Sequence, residues 1–287
     1  MEAFDRDRNR IRAAPIPTTF GGVAALARHP IHWLGLWLAA TAAVIGVVLA
    51  LALTITWARD IEHALVDLGS AGEIRGGRFH PASKETRLLH ASAFLAIAIV
   101  GEPTDEPISG ADVTVWIEPD VWSIHSLLGR MEGPYPATWN VTLDRVEMSG
   151  LWSAWKAPIL LAFAMSIAAV LLANWTVLAT LYCPLLRGLA WAMGRNAGTA
   201  ACWKLGAAAL LPGALVMTAA IALYATHQLA LVGLLLVMPL HLVVGWIYGV
   251  GGIWRTPKIE LGANPFVPEP PSKPGSPAKT SNPFRTS

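Results

Sequence analysis

The sequence predicts an α-helical integral membrane protein with four transmembrane helices and a small α+β extracytoplasmic domain. Three observations carry this expectation. Apolar residues make up 54% of the chain and charged residues 14%, well below the roughly 25% charged content of globular domains. Four stretches, 33–57, 157–181, 205–226 and 229–254, contain no Asp, Glu, Lys or Arg. Each exceeds the about 20 residues that a helix needs to cross the hydrocarbon, since each residue rises only about 1.5 Å. The long interval between the first two, 58–156, is polar and large enough to bury a core of its own.

Composition also excludes several classes. A formal charge of +2, from 21 basic and 19 acidic residues, gives no bulk basicity for a nucleic-acid partner. Two cysteines rule out a disulfide scaffold and a four-cysteine zinc site.

Taken along the chain, residues 1–32 form a cytoplasmic N-terminal segment. Glu2, Asp5 and Asp7 interleave there with Arg6, Arg8, Arg10 and Arg12, unlike an acid-poor transit peptide. Segment 33–57 is the first transmembrane helix. Ala50-Leu51-Ala52 imitates a signal cleavage site, but an apolar run of 25 residues is too long for a signal and reads as an uncleaved anchor.

Within 58–156 a helix is expected over 59–68, with Trp57, Ile61, Leu65 and Leu68 on one face. Gly76-Gly77 predicts a tight hairpin between 73–75 and 78–80. Strands are expected at 88–100, 113–117, 121–124 and 139–146, giving one small antiparallel sheet packed by a helix. The run 88–100 (LLHASAFLAIAIV) is too short to span a bilayer and reads as a single buried strand, with Leu95, Ile97 and Ile99 on one face. GEPTDEP at 101–107 is an acidic turn.

Residues 157–254 form a three-helix membrane bundle with a cytoplasmic loop at about 182–204. Pro184, Leu185, Leu186, Leu189, Ala190 and Met193 predict a separate short interfacial helix in that loop, ended by Gly194. The tail, 255–287, holds eight prolines in its last 31 residues and is expected to be disordered. It carries Asn-Pro-Phe twice, at 264–266 and 282–284, a tripeptide that chance supplies readily in such a composition.

Charge orients the helices. Segments 1–32, 182–204 and 255–287 together hold 13 Lys/Arg and 5 acids, whereas 58–156 holds 8 basic and 14 acidic residues. Lys/Arg-rich flanks stay cytoplasmic. Both termini are therefore expected inside and 58–156 outside the inner membrane. Trp33, Trp37, Trp57, Trp152, Trp155, Trp203 and Trp254 fall at or near predicted helix ends, as an interfacial belt requires.

With no Asp, Glu, Lys or Arg in the spans, His241 is the one residue they offer for moving ions or protons. It reads as a neutral imidazole bonding a neighbouring helix, for example Thr41 at similar depth, or as a proton or ligand contact. Gly245 and Gly249 form a G-x-x-x-G pair that permits close helix contact, within the bundle or through self-association. Pro212 breaks the helical ladder and frees the Ala208 carbonyl. Asn174, counted inward from 157, falls at the same depth near the inner boundary and is expected to donate to it.

No catalytic motif, metal set or cofactor fingerprint is expected. G-x-S-x-G and H-E-x-x-H are absent, and His63, His80, His90 and His125 are scattered. Glu102, Asp105 and Glu106 lack the spacing of a calcium loop. Cys183 and Cys202 read as reduced packing residues on the inner side. Asn140-Val141-Thr142 is a glycosylation sequon that matters only in a eukaryotic secretory pathway.

The layout of one N-terminal span, an external domain and a following bundle covers about residues 30–254. With GEIRGGRFH at 72–80 and TAACWKLGAAALLPGAL at 199–215, it resembles a bacterial family of uncharacterised membrane proteins loosely allied to the Yip-like membrane proteins. That resemblance implies the same membrane architecture and carries over no catalytic residue.

The function expected from these features is non-enzymatic. The chain would present its external domain for binding, sensing or envelope assembly, with the lipid bilayer and an envelope protein as partners. A second reading is a transport component using the bundle and His241. A third is an envelope hydrolase whose site lies in 58–156.

Overall fold

The computed structural model describes residues 16–101 and 110–258. The GEPTDEP turn with Glu102, Asp105 and Glu106, the arginine-rich start and both Asn-Pro-Phe tripeptides lie outside the described residues.

Among the described residues four helices are long and apolar enough to cross a membrane. The first, α2 (Ile31–Leu53), passes through a π-helical turn (Thr54–Ala58) into α3 (Arg59–Asp67). The second, α4, covers Arg145–Ala192, and α5 (Thr199–Ala225) and α6 (Leu231–Trp254) complete the bundle. A further short helix, α1 (Phe20–Arg28), precedes them.

The Ala-rich α5 is the hub: 67% of its most apolar window is buried, against 22% or less for the other three. Ala207, Ala208, Ala209 and Leu211 meet Leu186 and Ala179 of α4 in one core, while Trp175 packs with Ala42, Ile45, Leu210 and Ala214 in a second. The outer faces stay apolar and uncovered, with Leu161, Val170 and Leu236 each more than 60% exposed. An apolar exterior of this extent exceeds what a soluble monomer exposes, and a bilayer would cover it. Trp33 and Trp254 lie at one end of the bundle and Trp57 and Trp155 at the other. This architecture is consistent with a multi-pass membrane protein.

One expectation about these helices is corrected, and one element is added. The short helix expected to start at Pro184 is the continuation of α4, which runs unbroken through Pro158 and Pro184 for 48 residues. At the helical rise that is about 72 Å, more than twice a hydrocarbon core. Its first three turns stand clear of the bundle beside α3, where Lys156 Nζ donates to Glu62 at 2.6 Å and holds that carboxyl below its usual range. The N-terminal segment also contains α1, capped by the Thr19 hydroxyl that accepts from the Gly22 amide. Its residues Val23, Leu26 and Ala27 are buried in the α4–α5 core.

Among the described residues the domain between α2 and α4 has two sheets. One has the order β2-β1-β8, from β1 (Ser70–Arg75), β2 (Arg78–Pro81) and β8 (Asn140–Asp144). The other, β3-β4-β5-β6-β7, comprises Arg87–Ala91, Leu95–Ile99, Val113–Ile117, Val121–Ser126 and Gly129–Pro134. The β1–β2 hairpin turns at Gly76 and Gly77 as expected, with φ of 60° and 80°, the left-handed pair of a primed turn.

The single strand expected at 88–100 is instead two antiparallel strands, β3 and β4. Ser92 makes the break, because its hydroxyl accepts the amides of Phe94 and Leu95 and closes a turn without Gly or Pro. Nor is there one antiparallel sheet: β4 and β5 are parallel, with Ile97 opposite Val115. The strand expected to reach Val146 stops at Asp144, whose carboxylate caps α4 by accepting the amides of Val146 and Glu147.

The domain core lies between the two sheets and α3, with Ala64, Leu68, Ile74, Phe79, Leu89, Ile99, Tyr135 and Leu143 in contact. Burial pushes the Tyr135 phenol up to about 12 while its hydroxyl donates to the carbonyls of Glu118 and Val121.

Candidate functional site

Three places bring polar groups together. The first lies inside the bundle. Asn174, Thr218 and His241 border a cavity of about 210 Å³ whose other walls are apolar, Trp175, Leu210 and Ala214 among them. The sequence singles out Asn174 and His241 separately, and the structure brings them to one space.

Neither has the partner expected of it. The Nδ1 atom of His241 is buried without a hydrogen-bond partner, and no bond links it to the half-buried Thr41. Asn174 does not bond the Ala208 carbonyl. It is exposed, and its neighbour Trp175 is the residue that packs against α5. Counting depth from residue 157 fails because α4 begins at Arg145 and ends at Ala192, so Asn174 lies level with Leu210 and Ala214 in the middle of α5.

The glycines of α6 pack inside the chain. Gly245 faces the Ala209 carbonyl and Gly249 faces Leu186, and both are buried, so that face is covered by α5 and α4. Among the described glycines, the tightest approach between two long helices is at Gly213, next to Pro212. There a β-carbon would stand 2.3 Å from the His241 carbonyl oxygen.

The second place lies at the opposite end of the bundle from the β-domain. Ile31 of α2, Thr180, Cys183, Pro184 and Arg187 of α4, and Thr199, Ala200, Trp203 and Lys204 of α5 line a groove of about 830 Å³. Arg187 Nη1 donates to the Thr199 hydroxyl at 2.8 Å, and Lys204 Nζ to the His29 carbonyl at 3.0 Å. Cys183 and Cys202 are free thiols buried beside it. The described start and end of the chain meet at this end as well. Tyr248 donates to the Thr18 carbonyl, and Arg195 to that of Thr256.

The third place is the junction of domain and bundle. Asp112, just before β5, accepts a 2.7 Å hydrogen bond from the Tyr224 hydroxyl near the end of α5. Phe94, in the β3–β4 turn, packs edge-on against Tyr224 and lies 4.3 Å from the His227 ring. His227 holds a left-handed conformation, φ 60°, which costs energy in a residue with a β-carbon. Beside this, Asp60 of α3 is buried and its carboxylate bonds both Ser92 and His90, and His63 stacks on His90. A turn made by Ser92 is thus locked to a helix continuous with α2.

The histidines that the sequence scatters are therefore partly gathered. Among the described residues no group of three or more His, Cys, Asp or Glu is arranged to hold a metal. Two Ser–His–acid clusters form, at Asp60/His90/Ser92 and at Glu118/Ser123/His125, but neither has the order of a hydrolytic triad. That order puts the imidazole between carboxylate and serine. In the first the carboxylate is central, and in the second Ser123 is central, donating to Glu118 at 2.6 Å and lying 3.1 Å from His125. Ser123 is also fully buried.

Burial, aided by Arg130, holds the His125 imidazole below its ordinary value near 6.5. The unfolded chain therefore takes up its proton first as pH falls. The stability due to neutral His125 is complete above pH 6.5 and is lost as pH drops below it. Thermal unfolding of the domain should begin at lower temperature at pH 5 than at pH 7.5, and His125→Gln should narrow that difference. An equal difference in the variant would contradict this assignment.

Comparison with protein-family models, with curated proteins and with solved structures finds no match to this chain.

Proposed function

We propose that this chain is an inner-membrane protein with both termini in the cytoplasm, holding its β-domain outside as a docking platform for an envelope protein. The carrying observation is the junction. Tyr224–Asp112, the Phe94 contacts and the Asp60 cluster tie the domain to α5 and to the α2–α3 helix, so the domain is oriented by the bundle rather than tethered loosely. Sidedness rests on the Lys/Arg distribution, 13 against 8, and on its placement at helix flanks.

Edge strand β7 and the hairpin leading to it expose Leu127, Leu128 and Met131, apolar side chains of the kind that mark interaction sites. A photo-crosslinking amino acid at Met131, introduced in living cells, should give a discrete protein adduct. The adduct should weaken when Asp112→Ala loosens the junction. Adducts to lipid alone, or none, would overturn the platform reading.

A transport role has the Asn174/His241 cavity in its favour. Its volume of about 210 Å³ is below the roughly 300 Å³ at which small-molecule sites begin, and we favour the platform.

A further inference from the structure

We propose that the groove between α2, α4 and α5 binds the phosphate-bearing headgroup of an anionic glycerophospholipid. Two cationic residues line it, Arg187 and Lys204. Among the described residues each donates to one neutral acceptor, the Thr199 hydroxyl and the His29 carbonyl. Neither enters any ion pair found among the described residues. A guanidinium has five N–H donors and an ammonium three, so most remain for a ligand.

A lining with two cationic residues and no carboxylate matches a phosphodiester, which accepts several charge-assisted hydrogen bonds. The remaining walls decide between a lipid and a soluble phosphate. Ile31, Cys183, Pro184, Ala200 and Trp203 offer apolar surface, which an acyl chain uses and a free phosphate does not. Trp203 is fixed by donating its indole N–H to the Thr180 hydroxyl at 3.1 Å, so the wall is built in advance of the ligand.

The position fits as well. Ile31 opens α2, and Lys204 lies in the second turn of α5, at the end where these helices would enter the bilayer. Basic pockets between helices on the cytoplasmic side are the usual seats of anionic headgroups. A volume of about 830 Å³ lies within the roughly 300–1,000 Å³ of small-molecule sites. The inference rests on the membrane reading above and not on the role of the β-domain.

The test is native mass spectrometry of the full-length protein in detergent, titrated with phosphatidylglycerol, phosphatidylcholine or inorganic phosphate. Phosphatidylglycerol should bind at one preferred site, phosphatidylcholine should bind weakly, and millimolar phosphate should not displace the lipid. Arg187→Gln should weaken phosphatidylglycerol about tenfold, the effect of losing one charge-assisted bond. Arg255→Gln, which removes the same charge away from the groove, should not. Ala200→Trp, which fills the groove and leaves both cations, should weaken the lipid too and guards against misfolding of the arginine variant.

Equal losses in Arg187→Gln and Arg255→Gln would overturn the proposal in favour of diffuse attraction. Equal binding of phosphatidylcholine, full affinity in Ala200→Trp, or displacement by phosphate would overturn it as well. Because the measurement is made in detergent, such a failure leaves the sidedness of the domain untouched.

Discussion

Gly213→Ala should strip the bundle of much of its stability, while Gly245→Ala should leave it nearly intact. The new methyl at 213 would stand 2.3 Å from the His241 carbonyl oxygen, inside a helix buried on most of its sides, so α5 and α6 must separate. Overpacking usually costs about 1–3 kcal/mol, and a clash with rigid backbone belongs at or beyond the upper figure. At Gly245 the nearest atom lies 3.4 Å from the added carbon, an ordinary contact. Heating each variant in detergent and following the monodisperse fraction by size exclusion measures the difference. Equal losses at the two positions would show that the α5–α6 crossing is not as described.

The second large effect is expected in the β-domain. Phe79 is 2% exposed and contacts the core shared by both sheets and α3. Truncation to alanine should cost about 3–5 kcal/mol. Small domains have only about 5–15 kcal/mol in all, so the loss takes a large share. Hydrogen exchange on the full chain in nanodiscs should then show faster exchange throughout β1, β2 and β8, with α5 and α6 amides unchanged. Unaltered protection in those strands would refute the core assignment.

How legible all this was in the sequence depends on the kind of signal. The uncharged runs found their helices because a bilayer imposes both length and composition, and Gly76-Gly77 found its hairpin because few residues accept two successive left-handed conformations. Pro184 misled for a physical reason. In water proline favours a helix start, but in a bundle neighbouring helices stabilise the chain through it. The break at Ser92 was hidden because a hydroxyl, not glycine or proline, closes the turn. Asp144 with Glu147 three residues later carried a capping signature that marks the true start of α4.

The short α1 was the hardest to foresee. Gly21 and Gly22 weaken its intrinsic preference, and packing against α5 and α6 holds it. The groove was invisible for a related reason. Arg187 and Lys204 are 17 positions apart and line one groove only because α4 continues past Pro184, whereas the sequence reading used both solely to orient the helices. The junction, too, joins Asp112 to Tyr224 across a distance in sequence that no periodicity bridges.

The central claim is that the β-domain stands outside a membrane that the four helices cross. It is tested by replacing Cys183 and Cys202 with alanine, placing one cysteine at exposed Ser83 in the β-domain or at Arg255 beyond α6, and treating intact spheroplasts with a membrane-impermeant maleimide. Labelling of Ser83→Cys in intact cells, with Arg255→Cys labelled only after lysis, is the predicted result. The reverse pattern, or labelling of both before lysis, would contradict the account.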